Sequence, residues 1–212
     1  MPSNPRRRSA RLALAVALAA LGTLFTLAPA ASGSVKSAYR WPQRSSGEIR
    51  ITLRNNLDPV WTPILNDVAA DWSRSPRLEL AVGGPATCPE WSWDSSGGPL
   101  AGNYTVCVEE GLERDPWVGL NWGYADVWID ARGNISLARV RLNTPALVDP
   151  IAARHTLCHE VGHALGLDHD EAPDSCMGHD YFSPIAVGPG AGDFAQLAVL
   201  YQQRGSRTPA RR

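Results

Sequence analysis

Three histidines and one glutamate fall within a single short run, His159-Glu160-Val161-Gly162-His163-Ala164-Leu165-Gly166-Leu167-Asp168-His169. His159 and His163 are four positions apart, one helical turn, so a helix here presents two ring nitrogens on one face. Zinc takes four ligands, and a catalytic site leaves one position to water, so a third protein donor must come from outside the helix. His169 is that donor, provided the helix stops before it. Gly166 can do this, because it adopts the left-handed conformation that ends a helix without a Cβ clash. Glu160, beside the first ligand, is placed to take a proton from water and hand it on to a leaving nitrogen. Bound zinc lowers the pKa of water from about 15.7 to roughly 7. The expected reaction is hydrolysis of a polarised carbonyl.

A bare H-E-x-x-H is a moderately specific pattern, and the longer version with His169 is far more so. Met177 follows it in Asp174-Ser175-Cys176-Met177-Gly178. Together these residues resemble the metzincin zinc peptidases, in which the long zinc motif is followed by a methionine-containing turn. The wording of the motif is most similar to that of the matrixins. The resemblance implies that His159, His163 and His169 ligate one zinc ion, that Glu160 is the general base, and that Met177 lies beneath the metal.

Residues 1–30 carry Arg6, Arg7, Arg8 and Arg11, then an apolar run over 12–28, then Ala28-Pro29-Ala30. This is the layout of a secretory signal peptide, with a run short and Ala-rich for a membrane anchor. The paired arginines raise twin-arginine export, but the residues after them do not complete that signal. Without residues 1–30 the chain keeps 16 basic against 21 acidic residues, a net of −5. That balance offers no basic face for nucleic acid. Secretion, a protein or peptide substrate, a monomer and no lasting membrane insertion are the expectations. The rest of the chain divides into a short flexible segment at 31–46, one catalytic domain at 47–203 and a disordered basic tail at 204–212.

Four cysteines in an exported chain read as two disulfides, with three possible connectivities. Cys88 with Cys107 and Cys158 with Cys176 is the preferred set, since the second bridge would tie the start of the zinc helix to the residue before Met177. A cysteine ligand to zinc is the rival, and Cys158 suits it poorly: it points about 100° around the helix from His159.

The elements that must carry these residues follow from periodicity. Ile49, Ile51 and Leu53 alternate with polar residues over 48–54, a half-buried strand. Thr62 can cap a helix with Pro63 in its first turn and Trp61, Leu65, Val68 and Trp72 as its apolar stripe. Residues 78–82 and 104–109 are further strands. Residues 124–130 and 135–142 form a hairpin around Ala131-Arg132-Gly133-Asn134, with Ala125, Val127 and Ile129 facing inward. Asp149 caps the zinc helix, Pro150 opens it, and Leu157, Val161 and Leu165 line its buried side. Asp193 and Gln196 mark a capping box for a last helix over 194–201. The result is an α+β domain, a five-stranded twisted mixed sheet with three helices, in an order similar to that of a matrixin catalytic domain. By that analogy the fourth strand lies at the sheet edge above the cleft, where an extended substrate can pair with it.

Departures from the family pattern are informative. Residues 31–46 contain no cysteine, so latency by a propeptide thiol on zinc is not expected. Beyond the ligands the only histidines are His155 and His179, so one metal is expected. Glu109, Glu110, Glu113 and Asp115 could hold calcium, although a solvated acidic loop is the simpler account. Tyr181 could donate to the oxyanion, shape the pocket beyond the scissile bond, or simply pack. Two other functional classes fit part of the chain. One is an exported binding protein with structural zinc and a surface built from Trp91, Trp93, Trp117 and Trp122, for which Glu160 would be superfluous. The other is a zinc amidase acting on cell-wall peptide, which the motif does not separate from a protease.

Overall fold

The computed structural model describes residues 39–43, 48–88, 104–111, 122–170, 172–178 and 186–202. The expected signal peptide, the basic tail, Trp91, Trp93, Glu113, Asp115, Trp117, His179 and Tyr181 lie outside these residues. Five strands, β1 (Ile49–Asn56), β2 (Leu78–Gly83), β3 (Thr105–Glu110), β4 (Gly123–Ile129) and β5 (Ile135–Leu142), form one sheet in the order β2-β1-β3-β5-β4. All neighbouring pairs are parallel except β4 with β5. Helices α1 (Thr62–Trp72), α2 (Pro150–Ala164) and α3 (Ala191–Leu200) complete the mixed α+β arrangement.

Strand alternation sorts the sheet into two faces of different chemistry. Ile49, Ile51 and Leu53 of β1, Leu78 and Leu80 of β2, Val106 and Val108 of β3, and Ala138, Val140 and Leu142 of β5 are buried in one apolar cluster with Leu65, Val68, Leu157 and Val161 of the helices. The intervening positions carry charge. Arg50 pairs with Glu79 at 2.6 Å, Arg139 with Glu109 at 3.2 Å and Arg141 with Asp126 at 2.7 Å. The apolar face fixes the register, since a slip of one residue would exchange the two sets. Glu109, one of the carboxylates considered for calcium, is engaged in this ladder.

Four expectations need correction. Thr62 is the first residue of α1 and not its cap. A 3-10 turn over Pro59–Trp61, capped by the Asp58 side chain on the Val60 amide, runs straight into the helix, and the Thr62 hydroxyl accepts from the Asn55 side chain instead. Ile129 is 47% exposed, because β4 is an edge strand whose register shifts between Trp128 and Ile129; a bulge there turns the end of the strand away from the core. Ala125 and Val127 do pack against the core. Asp193 is the third residue of α3, which Gly190 caps. Finally, residues 39–43, assigned to a flexible segment, are packed: Trp41 is 1% exposed, the Tyr104 hydroxyl donates to the Pro42 carbonyl at 2.6 Å, and Arg40 bridges to Asn134.

The hairpin between β4 and β5 forms as its residues require. The Asp130 carboxylate accepts from the Arg132 and Asn134 amides, each at 2.8 Å, and Gly133 takes φ +77°, the left-handed region that glycine enters without cost. No helix among the described residues is long and apolar enough to cross a membrane.

Candidate metal centre

Helix α2 begins where the sequence marks it. Asp149 accepts from the Ile151 amide at 3.2 Å and Pro150 is the first helical residue. The helix ends at Ala164 with a turn that satisfies its last carbonyls: the Gly166 amide donates to His163 and the Leu167 amide to Gly162, at 2.9 and 3.1 Å. This crossed pair with a left-handed residue is the Schellman motif. Gly166 has φ +95°, and a Cβ there would stand 2.5 Å from the Tyr39 carbonyl. The reversal is therefore closed to any other residue, and it delivers His169 back towards the helix.

Distant side chains hold this helix along its length and at its end. The Trp41 indole donates to the Ala164 carbonyl at 2.9 Å, the Tyr201 hydroxyl to the Leu165 carbonyl at 2.7 Å, and the Trp72 indole to the Cys158 carbonyl at 3.2 Å. The Tyr201 oxygen also accepts from the Trp41 amide at 3.2 Å.

The three imidazoles converge. Nε2 of His163 lies 3.0 Å from that of His159 and 3.3 Å from that of His169, and the remaining pair is 3.2 Å apart. Nitrogens bound tetrahedrally to zinc at 2.0–2.1 Å would be roughly 3.3–3.4 Å apart. The other ring nitrogens face acceptors. Nδ1 of His159 meets the Cys176 carbonyl at 2.8 Å and Nδ1 of His163 meets the Leu167 carbonyl at 2.9 Å. A carbonyl can only accept, so both Nδ1 atoms carry the proton and both Nε2 atoms present lone pairs to each other. Lone pairs so opposed repel, and a cation held between them would relieve that repulsion. Carbonyl partners of this kind fix ring orientation in metal sites. Among the described residues this trio is the one group of three or more His, Cys, Asp or Glu side chains that could hold a metal ion. The donor set and its spacing fit zinc.

Electrostatics agree with a neutral His159 imidazole. Burial first and the adjacent His163 second hold His159 down at about 3. Glu160 is 4% exposed, and burial pushes its carboxyl up to about 8. It is confined from the sheet side by Gly123 of β4, where a Cβ would lie 3.1 Å from the Glu160 Cγ and 2.9 Å from the Thr156 Cγ2.

Both disulfides are those preferred from the sequence, Cys88–Cys107 and Cys158–Cys176. The second joins the residue before His159 to the residue before Met177. Met177 is fully buried, its carbonyl accepts from the Asp170 amide at 2.9 Å, and it packs on Gly162, between His159 and His163, where a Cβ would collide with its sulfur.

Several contributors were not anticipated as parts of the site. Gly123 and Gly162 leave room for Glu160 and Met177, and Asp193 of α3 binds the Ser175 hydroxyl at 2.7 Å. A glycine inside a helix between two candidate ligands is the signal that was available for Gly162; nothing local marks Gly123 or Asp193. Trp122, considered for a binding surface, is half-buried against the core.

No protein-family profile matches the sequence, and no curated protein does. Solved structures similar to it include archaemetzincin from Methanopyrus kandleri, 17% identical over 74% of this chain and 97% of that one with a TM-score of 0.43. High choriolytic enzyme 1, a hatching enzyme zinc-protease from Oryzias latipes, is 11% identical over 78% of this chain and 96% of that one, with a TM-score of 0.44. Myroilysin is 12% identical over 80% and 98%, with a TM-score of 0.43. At these identities and scores the similarity is one of backbone course alone.

Proposed function

We propose that the chain is a secreted zinc-dependent endopeptidase of the metzincin type, closest to the matrixins in its zinc motif. The observation that carries this reading is the meeting of three Nε2 atoms within 3.0–3.3 Å beside a buried carboxyl group that ligates nothing. A structural zinc site has no use for that carboxyl; a hydrolytic one needs it. When bound, zinc supplies Lewis acidity, polarising a carbonyl and lowering the pKa of water to roughly 7.

The chain's own residues supply the rest. His159, His163 and His169 would hold the ion. Glu160 takes the proton from the attacking water and passes it to the departing amide nitrogen, as a base whose affinity for protons lies near the working pH. A cation next to it favours its carboxylate form against the effect of burial. β4 is an edge strand that starts at Gly123, against Glu160. An extended peptide laid along that edge, backbone to backbone, would be selected for extended shape more than for sequence.

Digestion of unfolded casein by the purified chain tests this. Cleavage abolished by a chelator, restored by zinc and absent from Glu160→Gln is the expected result. Zinc retained without cleavage of any peptide would overturn the proposal.

A further inference from the structure

The turn that follows the ligands is fastened from a distance. Asp193, in the first turn of α3, accepts two hydrogen bonds at one carboxylate oxygen, Oδ2: from the Gly190 amide at 2.7 Å and from the Ser175 hydroxyl at 2.7 Å. The Ser175 oxygen in turn accepts from the Met177 amide at 2.9 Å. Between Ser175 and Met177 stands Cys176, whose carbonyl takes the Nδ1 proton of His159 at 2.8 Å and whose amide donates to Gly188 at 3.0 Å. The route from Asp193 to the first ligand is continuous: carboxylate, serine hydroxyl, the peptide around Cys176, imidazole. Every member is buried, with Asp193, Cys176 and Met177 fully enclosed and Ser175 and His159 each 3% exposed.

Capping alone does not call for this arrangement. An exposed acidic side chain in the first turn serves a helix as well, at about 1 kcal/mol or less. A carboxyl group enclosed in the interior loses its hydration, and Oδ1 of Asp193 has no hydrogen-bond partner, a cost that burial of a polar atom imposes unless something offsets it. The Ser175 contact is the one that reaches the site.

We propose that Asp193 is a positioning residue for the metal centre: acting through Ser175, it fixes the Cys176 carbonyl that orients His159, and so sets zinc affinity and coordination geometry. This rests on the assignment of His159, His163 and His169 as zinc ligands. Partners that orient a metal-bound histidine typically contribute 10–100-fold to metal affinity, and the same size of effect is expected here.

The test uses the full chain. Zinc affinity is measured by competition with a chromophoric chelator, and geometry by the visible absorption of the cobalt(II)-substituted protein. The variants are Asp193→Ala, Asp193→Asn, Ser175→Ala and, as a control, Val68→Ala, which removes buried apolar volume from α1. Asp193→Ala and Ser175→Ala are expected to bind zinc at least about tenfold more weakly with an altered cobalt spectrum. Asp193→Asn keeps an acceptor oxygen and should retain both properties, and Val68→Ala should lose stability but neither of them. Wild-type affinity and spectrum in Asp193→Ala, or an equal loss of affinity in Val68→Ala, would overturn the proposal. If Asp193→Ala does not fold, Ser175→Ala decides on the same two readouts. A wild-type chain that binds no zinc overturns the ligand assignment itself, a result separate from a wild-type chain that binds zinc indifferently to residue 193.

Discussion

The sulfur of Met177 occupies the space where a side chain on Gly162 would stand. A glycine inside a helix costs about 1 kcal/mol relative to alanine, so its position between His159 and His163 reflects packing rather than helix propensity. The Met177 side chain rests directly on α2 because this residue has no Cβ.

Gly162→Ala weighs these two effects directly. Alanine gains roughly 1 kcal/mol in helix propensity, but overpacking a filled core costs typically 1–3 kcal/mol, and here the Trp72 ring at 2.9 Å blocks the other side. The net expectation is a lower melting temperature and weaker zinc binding, read by thermal unfolding and chelator competition. A stabilised variant with full zinc affinity would show that the turn yields freely.

Substitutions at the site should divide by role. Glu160→Gln keeps the metal and loses about 10²–10⁴-fold in turnover, the range for a positioned acid–base group. His159→Ala, His163→Ala and His169→Ala each lose the metal too. Metal content by elemental analysis beside kcat separates the two groups, and a fully active Glu160→Gln would remove the assigned base.

The pH dependence of the metal-free chain follows from four buried groups. His159 titrates at about 3 when folded against 6.5 ordinarily. The unfolded chain takes a proton that the folded one refuses, so stability falls as pH drops from 6.5 towards 3. His155, also lowered by burial, acts in the same sense. Glu160 is raised from 4.5 to about 8. The folded chain keeps a proton that the unfolded one releases, so stability falls as pH rises from 4.5 to 8, and the raised Asp193 adds to this. In chelator the melting temperature should peak in mildly acid solution, where the two slopes oppose each other. Added zinc should raise it most near neutrality and progressively less on acidification, since the ligands must be unprotonated. A zinc-induced rise that persisted undiminished at about pH 4 would contradict imidazole ligation.

The Cys158–Cys176 bridge closes a loop of 18 residues, for which chain entropy predicts about 3 kcal/mol of stabilisation. The double variant Cys158→Ala, Cys176→Ala should melt lower by that order and, because the Cys176 carbonyl orients His159, bind zinc more weakly. Unchanged melting would mean that the turn is held by its hydrogen bonds alone.

Much of the centre was legible because it is local. His159, His163 and His169 are placed by helix period and one glycine, and Asp149 with Pro150 sets the helix start. Strand alternation located β1 to β5 to within a residue or two. What escaped depends on the third dimension. Gly123 faces Glu160 only because β4 lies at the edge beside β5, and Asp193 reads as an ordinary cap until Ser175 is placed beside it. Thr62 and Ile129 misled for similar reasons: a preceding turn and a strand bulge changed what their residue types predict. Trp41, in a short segment without periodicity, gave no sign that its indole would close the carboxyl end of α2.

That indole sets a boundary on how far the domain tolerates erosion. The Ala164 and Leu165 carbonyls at the close of α2 are claimed by Trp41, which precedes β1, and by Tyr201, which follows α3, so the bend that presents His169 is underwritten by residues far apart in the sequence. Trimming that removes Trp41 or Tyr201 should silence the molecule with its chemistry otherwise intact.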